Sequence, residues 1–149
     1  MCGGCCRHVV IHQVQSVSHL SVFLSLLSRM LVPGKMQHVI CTGNLGSEQY
    51  DELRELAPNV HVVSGDFDLD STFPETRVAQ VGDFRIGVVH GHQIIPFGNQ
   101  AALARMRRKL SVDILISGHT HQHKVTEYQG YYHINPVSTV RLIVVLCCL

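Results

Sequence analysis

Ile114-Leu-Ile-Ser-Gly-His-Thr-His121 joins a short apolar run to a glycine and then to two histidines. The same order, an apolar run and then a glycine beside a metal-ligand type of residue, occurs at three earlier places: Cys41-Thr-Gly-Asn44, Ser64-Gly-Asp66 and His90-Gly-His92. In open α/β sheets, ligands bind outside the carboxyl ends of the strands, and glycine lets the backbone turn sharply there. We therefore expect the four tips to converge on one site that holds an amide, a carboxylate and several imidazoles.

The apolar runs are short and rich in β-branched residues, as buried strands of an α/β protein are. We predict strands at residues 38–41, 60–63, 84–90 and 114–117, and a hairpin of residues 124–128 and 131–135. Two helices are predicted between them, one capped by Ser47 and one capped by Asn99. This order of elements predicts the α/β class.

Composition leaves the function to a specific site. The chain has 149 residues, the size of one domain, and a net charge of +1, which gives no electrostatic argument for nucleic acid or an anionic membrane. Most of the six cysteines lie at the extreme ends of the chain, so they do not form a disulfide framework. Its apolar runs are too short for a spanning helix, which needs about 20 residues. We expect a cytosolic protein.

The eleven histidines favour a metal site. His119 and His121 alternate on an extended segment, so they need a bend in the backbone to face one ion, and Gly118 permits it. A mixed set of nitrogen and oxygen ligands suits zinc, manganese or iron(II) and does not choose among them. Any one of these histidines alone is more often structural, whereas the four tips together indicate a metal-type constellation.

Six motifs follow one another in a fixed order: Leu31-Val-Pro-Gly-Lys35, Cys41-Thr-Gly-Asn-Leu45, Ser64-Gly-Asp-Phe-Asp68, His90-Gly-His-Gln-Ile-Ile-Pro-Phe97, Asp113-Ile-Leu-Ile-Ser-Gly-His-Thr-His121 and Ile134-Asn-Pro136. With this series the chain resembles the calcineurin-like metallophosphoesterases over residues 31–136. The resemblance implies a four-layer α/β/β/α sandwich, two β-sheets covered by helices, with a dinuclear site at the strand ends. It places five residues on the family's metal-ligand positions: Asn44, Asp66, His90, His119 and His121.

Two matched positions carry residues that active members of this family usually lack. Asn44 falls on the bridging position, where the charge of an aspartate helps to hold two cations together. Phe67 falls where active members commonly place a histidine that assists phosphoryl chemistry. A phenyl ring transfers no proton, and the loss of such help costs about 10²–10⁴-fold in rate. The resemblance therefore implies no catalytic residue, and a divalent metal (zinc, manganese or iron) that the function does not need.

In detail, the motifs are similar to the branch of the family that forms the small subunit of retromer, an endosomal sorting coat. That branch implies a non-catalytic scaffold, peripheral on endosomes, in protein transport from endosomes to the Golgi or plasma membrane. The large α-solenoid scaffold subunit of retromer would dock on the metal-site face, and regulators would bind a separate hydrophobic patch. The matching apolar loop carries Ile94, Ile95, Pro96 and Phe97, of which Ile95 is the first contact residue we expect. Without the resemblance, a simple cover for the core is the favoured interpretation of this loop.

The two ends of the chain depart from the family pattern. Residues 1–29 lack the Gly-Asp-x-His motif of the family's first strand, and residues 137–149 form an apolar tail instead of its Gly-Ser motif and further strands. We therefore divide the chain into a non-matching segment (1–29), a metallophosphoesterase-like core (30–136) and a non-matching tail (137–149). The sandwich is expected to be incomplete, with unpaired strand edges. Our hypothesis for both ends is translated intron sequence.

Two other hypotheses for the function stay open at this point. One is a weak metal-dependent phosphodiesterase of the calcineurin-like type, which the retained Asp66 and histidines favour. The other is a truncated product that does not fold, which the missing strands favour.

Overall fold

The structure, a computed structural model, describes residues 7–12, 36–45, 47–68, 72–120, 122–136 and 143–147. The strands within these ranges are β1 (Arg7–His12), β2 (Met36–Cys41), β3 (Asn59–Val62), β4 (Thr76–Val81), β5 (Phe84–Val89), β6 (Ile114–Ser117), β7 (Lys124–Tyr128), β8 (Tyr131–Asn135) and β9 (Ile143–Cys147). The helices are α1 (Ser47–Leu56) and α2 (Gln100–Leu110). Within the same ranges, no helix has the length and apolar character needed to cross a membrane.

The strands form two mixed sheets. The first has the order β3-β2-β1-β9, with β1, β2 and β3 parallel to one another and β9 antiparallel to β1. The second has the order β4-β5-β6-β8-β7, in which β5, β6 and β8 are parallel and the two edge strands are antiparallel. Parallel strands of one sheet end at the same edge, so the polar tips after β2 and β3 lie at one edge of the first sheet and those after β5 and β6 lie at one edge of the second.

The core lies between the two sheets. Ile40 of the first sheet and Val63 pack against Val81, Ile86 and Val88 of the second. Leu103 of α2 packs with Val89 and Leu115 of the second sheet, and α1 contacts β3 of the first. The layers therefore follow the order helix, sheet, sheet, helix, and the predicted α/β sandwich is confirmed.

Two strands, β1 and β9, correct part of the expectation that the sandwich is incomplete, because the first sheet has one strand from residues 1–29 and one from residues 137–149. β1 lies between β2 and β9, with Val10 opposite Val39 and Ile11 opposite Ile143. Both strands come from β-branched runs, which favour extended backbone whatever motif follows them. The Gly-Asp-x-His motif itself remains absent from the sequence.

The predicted cap at Asn99 and the predicted turn at Gln129-Gly130 have the geometry that their chemistry requires. Strands β6, β7 and β8 have the expected bounds. The Asn99 side chain accepts a hydrogen bond from the Ala102 N–H at 3.0 Å and caps α2. Gln129 and Gly130 both have positive φ, 56° and 76°, as the tight turn between two antiparallel strands needs.

Candidate metal centre

Three side chains from different tips meet at one point. A ligand atom from each of Asp66, His90 and His119 lies within 4.8 Å of the other two. The two carboxylate oxygens divide between the imidazoles: Asp66 Oδ1 lies 3.1 Å from His90 Nε2, and Oδ2 lies 3.7 Å from His119 Nδ1. The His90 side chain is 1% exposed and the Asp66 side chain 30%, so the cluster reaches from the interior to the surface.

His90 is oriented by the backbone of the β2 tip. Its Nδ1–H donates to the carbonyl oxygen of Thr42, which leaves Nε2 as the nitrogen that faces Asp66. Nε2 is buried and makes no hydrogen bond, although Asp66 Oδ1 is 3.1 Å away. Burial lowers the pKa of His90, against the opposing effects of the Thr42 carbonyl and Asp66, so its imidazole is favoured in the neutral form. A neutral imidazole held by a backbone carbonyl has the orientation that metal-binding histidines commonly show.

Asp66 is held as a carboxylate. Burial alone would raise its pKa, but the hydrogen bond from Asn44 and the nearby His90 and His119 lower that pKa below the ordinary value. Asn44 Nδ2 donates to Asp66 Oδ1 at 3.2 Å. One carboxylate and two imidazoles that converge without a hydrogen bond at His90 Nε2 fit a divalent cation of the zinc or manganese type.

Asn44 has a different place from the three clustered residues. Its Oδ1, the atom through which an amide would bind a cation, accepts a hydrogen bond from the Phe67 N–H at 3.1 Å. Both ends of the Asn44 amide therefore contact the loop that follows β3. In this arrangement Asn44 positions Asp66 and Phe67.

Asp68 joins the loop after β2 to the loop after β3 through hydrogen bonds. This role was not predicted from the sequence. Its Oδ2 accepts hydrogen bonds from the N–H groups of Asn44 at 2.7 Å and Gly65 at 2.8 Å. A Cβ at Gly65 would lie 2.0 Å from Asn44 Oδ1, so this close approach requires glycine. The only signal in the sequence is the Asp-x-Asp spacing of Asp66 and Asp68.

Two site residues take the left-handed backbone conformation. Asn44 has φ 60° and His119 has φ 69°, and each follows a glycine. The sequence predicts that Gly118 provides the bend that turns His119 and His121 toward one ion. In the structure, the residue with positive φ is His119 itself. That conformation is costly for a residue other than glycine, and such residues are commonly found at functional sites. His121 lies outside the described residues.

Apolar side chains flank the cluster on the surface. Phe67 is 81% exposed, Ile95 73% and Phe97 59%. The centroids of the Phe97 and His119 rings lie 4.8 Å apart. Pro96 is exposed between Ile95 and Phe97.

The position of Ile94 contradicts the expectation that its side chain contacts a partner. Its side chain is only 4% exposed and packs in the core with Val89, Leu103 and Leu115, so it cannot present itself to a partner. The reason is the position of α2, which covers one side of the loop.

The comparison with known families agrees with this geometry. The model of the calcineurin-like phosphoesterase superfamily domain matches residues 11–141. The chain therefore belongs to the calcineurin-like phosphoesterase superfamily. Within that superfamily, its relatives include vacuolar protein sorting-associated protein 29, or Vps29.

Vps29 of Schizosaccharomyces pombe is 35% identical over 111 residues, which are 74% of this chain and 59% of the relative. The chain thus spans less than two thirds of the length of that curated protein. A single-substitution variant of Vps29 from Entamoeba histolytica is 45% identical with a TM-score of 0.77, over 88% of this chain and 74% of that one. Wild-type Vps29 of the same organism in complex with Zn²⁺ is 46% identical with a TM-score of 0.75, over the same shares of the two chains.

Proposed function

We propose that this chain is a non-catalytic scaffold subunit of retromer, in protein transport from endosomes to the Golgi or plasma membrane. The large α-solenoid scaffold subunit docks on the face that carries the metal cluster. The observation that carries this proposal is the exposure of Phe67, Ile95 and Phe97 around Asp66 and His119. Large apolar side chains that surround a polar site on the surface are typical of a binding hot spot.

The relatives support the class of function. They are Vps29 proteins, and the S. pombe relative carries vacuolar protein sorting in its name. By this proposal the chain acts in the cytoplasm, peripheral on endosomes, and regulators of retromer bind a separate hydrophobic patch.

The side chain at Phe67 argues against dedicated catalysis. Phe67 stands beside Asp66, where the family places a histidine that exchanges a proton, and its 81% exposed ring has no titratable group. Without that general acid or base, the rate falls by about 10²–10⁴-fold. The same ring offers apolar area to a partner.

A divalent cation would be held by Asp66, His90 and His119, and we propose His121 and, through the second lone pair of Oδ1, Asn44 as further ligands. When bound, such a cation supplies positive charge that can polarise a phosphoryl oxygen. The Zn²⁺ complex of E. histolytica Vps29 supports zinc as the first metal to test. The buried, hydrogen-bond-free Nε2 of His90 supports a ligand role for this residue.

The docking role can be tested with the carboxyl-terminal half of the retromer scaffold subunit, titrated calorimetrically into the full chain. Ile95→Asp should weaken binding by 30-fold or more, because a hot-spot side chain contributes about 2 kcal/mol or more. Val78→Asp is the matched control, since Val78 is also exposed, at 41%, but lies on edge strand β4. Equal affinity of the wild type and Ile95→Asp would contradict the proposal.

A second candidate function is a weak metal-dependent phosphodiesterase, favoured by the convergence of Asp66, His90 and His119 within 4.8 Å. An assay with bis(p-nitrophenyl) phosphate and Mn²⁺ decides it. Turnover that disappears in His90→Ala would support this candidate, and absence of turnover in the wild type would remove it.

A further inference from the structure

A polar cleft of about 420 Å³ opens beside the cluster. Its walls come from the loop after β5, the start of α2, the segment after β6 and the strands β7 and β8. Its lining residues include Phe97, Gln100, His119, Thr120, Lys124 and Asn135. This volume is large enough for one polar side chain with its water.

The cleft is continuous with the proposed docking surface. His119 belongs to the cluster and also lines the cleft. Phe97 packs on His119 and forms the wall between the cleft and the exposed loop at Ile95. A protein that covers Ile95 and Phe97 therefore also covers the mouth of the cleft.

The described part of the cleft wall carries a positive charge and no negative one. Lys124 carries the only full charge among the lining residues that the structure describes, and none of these residues is a carboxylate. Burial and, after it, the positive charge of Lys124 lower the pKa of His133 to about 4, so His133 is neutral at physiological pH. Among the lining residues that the structure describes, no acidic side chain therefore compensates the ammonium group.

The rest of the wall is polar. Gln100 and Gln122 contribute amides, and Asn135 Nδ2 donates to Thr120 Oγ1 at 2.6 Å. A partner's group in this cleft would meet polar side chains on its sides and a cation at Lys124. An acidic side chain fits this chemistry, whereas a basic or purely apolar one does not.

We propose that the cleft receives an aspartate or glutamate side chain of the protein that docks on the Ile95–Phe97 loop, and that Lys124 pairs with its carboxylate. This inference rests on the proposed function, and it names the chemistry of the partner at this surface. Ile95 and Phe97 supply apolar area, and the cleft supplies a charged contact that fixes the register of the two proteins.

Charge reversal tests the contact. Binding of the carboxyl-terminal half of the scaffold subunit is measured by calorimetry in the wild type, Lys124→Glu, Lys124→Arg and Lys109→Glu. Lys109→Glu makes the same charge change at an exposed residue in the last turn of α2, away from the cleft. We expect Lys124→Glu to weaken binding about tenfold, and Lys124→Arg and Lys109→Glu to stay within about threefold of the wild type.

Zero-length cross-linking gives a second readout. A carbodiimide activates a carboxylate, which then forms an amide bond with a lysine amine in direct contact. The chain has only three lysines, Lys35, Lys109 and Lys124, so cross-linked peptides are easily assigned by mass spectrometry. We expect a peptide that joins Lys124 to an aspartate or glutamate of the scaffold subunit, and its loss in Lys124→Arg, because the guanidinium does not react.

The outcomes separate this inference from the proposed function. Binding that is lost in Ile95→Asp but unchanged in Lys124→Glu, with no cross-link at Lys124, would overturn the inference and leave the docking surface intact. A wild type that does not bind, or binds as Ile95→Asp does, would overturn both. Circular dichroism of each variant confirms that the fold is unchanged, since Lys124 is exposed on edge strand β7.

Discussion

The cluster and the loop beside it reverse the usual distribution of side chains. In the cluster, the polar His90 is 1% exposed and is held by the Thr42 carbonyl, whereas the apolar Ile95 and Phe97 of the loop are more than half exposed. Buried polar groups need partners and exposed apolar groups need a reason. This difference is what our proposal requires, an interior with the geometry of a metal site and a surface above it that binds another protein.

The sharpest test of this comparison lies between two neighbouring residues. Ile94→Ala should lower the free energy of unfolding by about 2–5 kcal/mol, because it empties space in the core against Leu103 and Leu115. Ile95→Ala should change it by less than about 0.5 kcal/mol, since Ile95 is 73% exposed. Urea unfolding of the two variants measures both values, and equal losses would mean that the loop is packed differently.

Acid should destabilise the buried polar region and leave the apolar loop unaffected. Burial and Lys124 lower the pKa of His133 from 6.5 to about 4, so the unfolded chain binds more protons between these pH values. The free energy of unfolding should therefore fall with falling pH, by about 3 kcal/mol at pH 4 from His133. His61 adds to the same trend, because burial, Arg77 and His38 lower its pKa to about 4.

His133→Gln is the control for this pH dependence. It cannot titrate, so its unfolding free energy should fall less steeply between pH 6.5 and 4 than that of the wild type. If the unfolding free energy, measured by urea titration at each pH, had the same pH slope in the two proteins, folding would not lower the pKa of His133.

Zinc should stabilise the cluster without any need for the exposed loop. At a free concentration of 100 times its Kd, it should raise the unfolding free energy by about 2.7 kcal/mol. Asp66→Asn should weaken zinc binding more than tenfold, because the amide lacks the charge of the carboxylate. Ile95→Asp and Asp83→Asn, both at exposed positions outside the cluster, should bind zinc as tightly as the wild type does. Calorimetric titration of zinc into the four proteins measures these affinities, and full zinc affinity in Asp66→Asn would exclude the cluster as the site.

The smallest expected effect concerns the backbone under the cluster. Gly65→Ala places a Cβ 2.0 Å from Asn44 Oδ1, which should cost about 1–3 kcal/mol and weaken zinc binding by moving Asn44 and Asp66. Gly82→Ala also costs stability, because Gly82 has φ +59°, but no other residue lies within 4 Å of its added Cβ. Zinc affinity should therefore separate the two variants. A normal zinc affinity in Gly65→Ala would contradict the close approach of Gly65 to Asn44.

The residues that could be predicted from the sequence are those whose chemistry is local. The apolar runs of β5 and β6, the Asn99 cap and the turn at Gln129-Gly130 follow from propensity and turn chemistry. The convergence of Asp66, His90 and His119 was predicted from the strand-end rule.

The rest depended on contacts between distant residues. β4 was not predicted, since its polar Thr76, Arg77 and Gln80 interrupt the apolar pattern. The burial of Ile94 beside the exposed Ile95 depends on where α2 lies, and Asp68 became a site residue only because Asn44 folds back over it. Apart from the Asp-x-Asp spacing of Asp66 and Asp68, no local signal distinguishes these roles.

Hydrogen–deuterium exchange of the full chain with and without the carboxyl-terminal half of the scaffold subunit tests the docking surface most directly. We expect slower exchange in residues 64–68 and 91–98, which carry Phe67 and the Ile95–Phe97 loop, and no change in β4. Unchanged exchange in both segments, with protection at β4 instead, would contradict docking on the metal-site face.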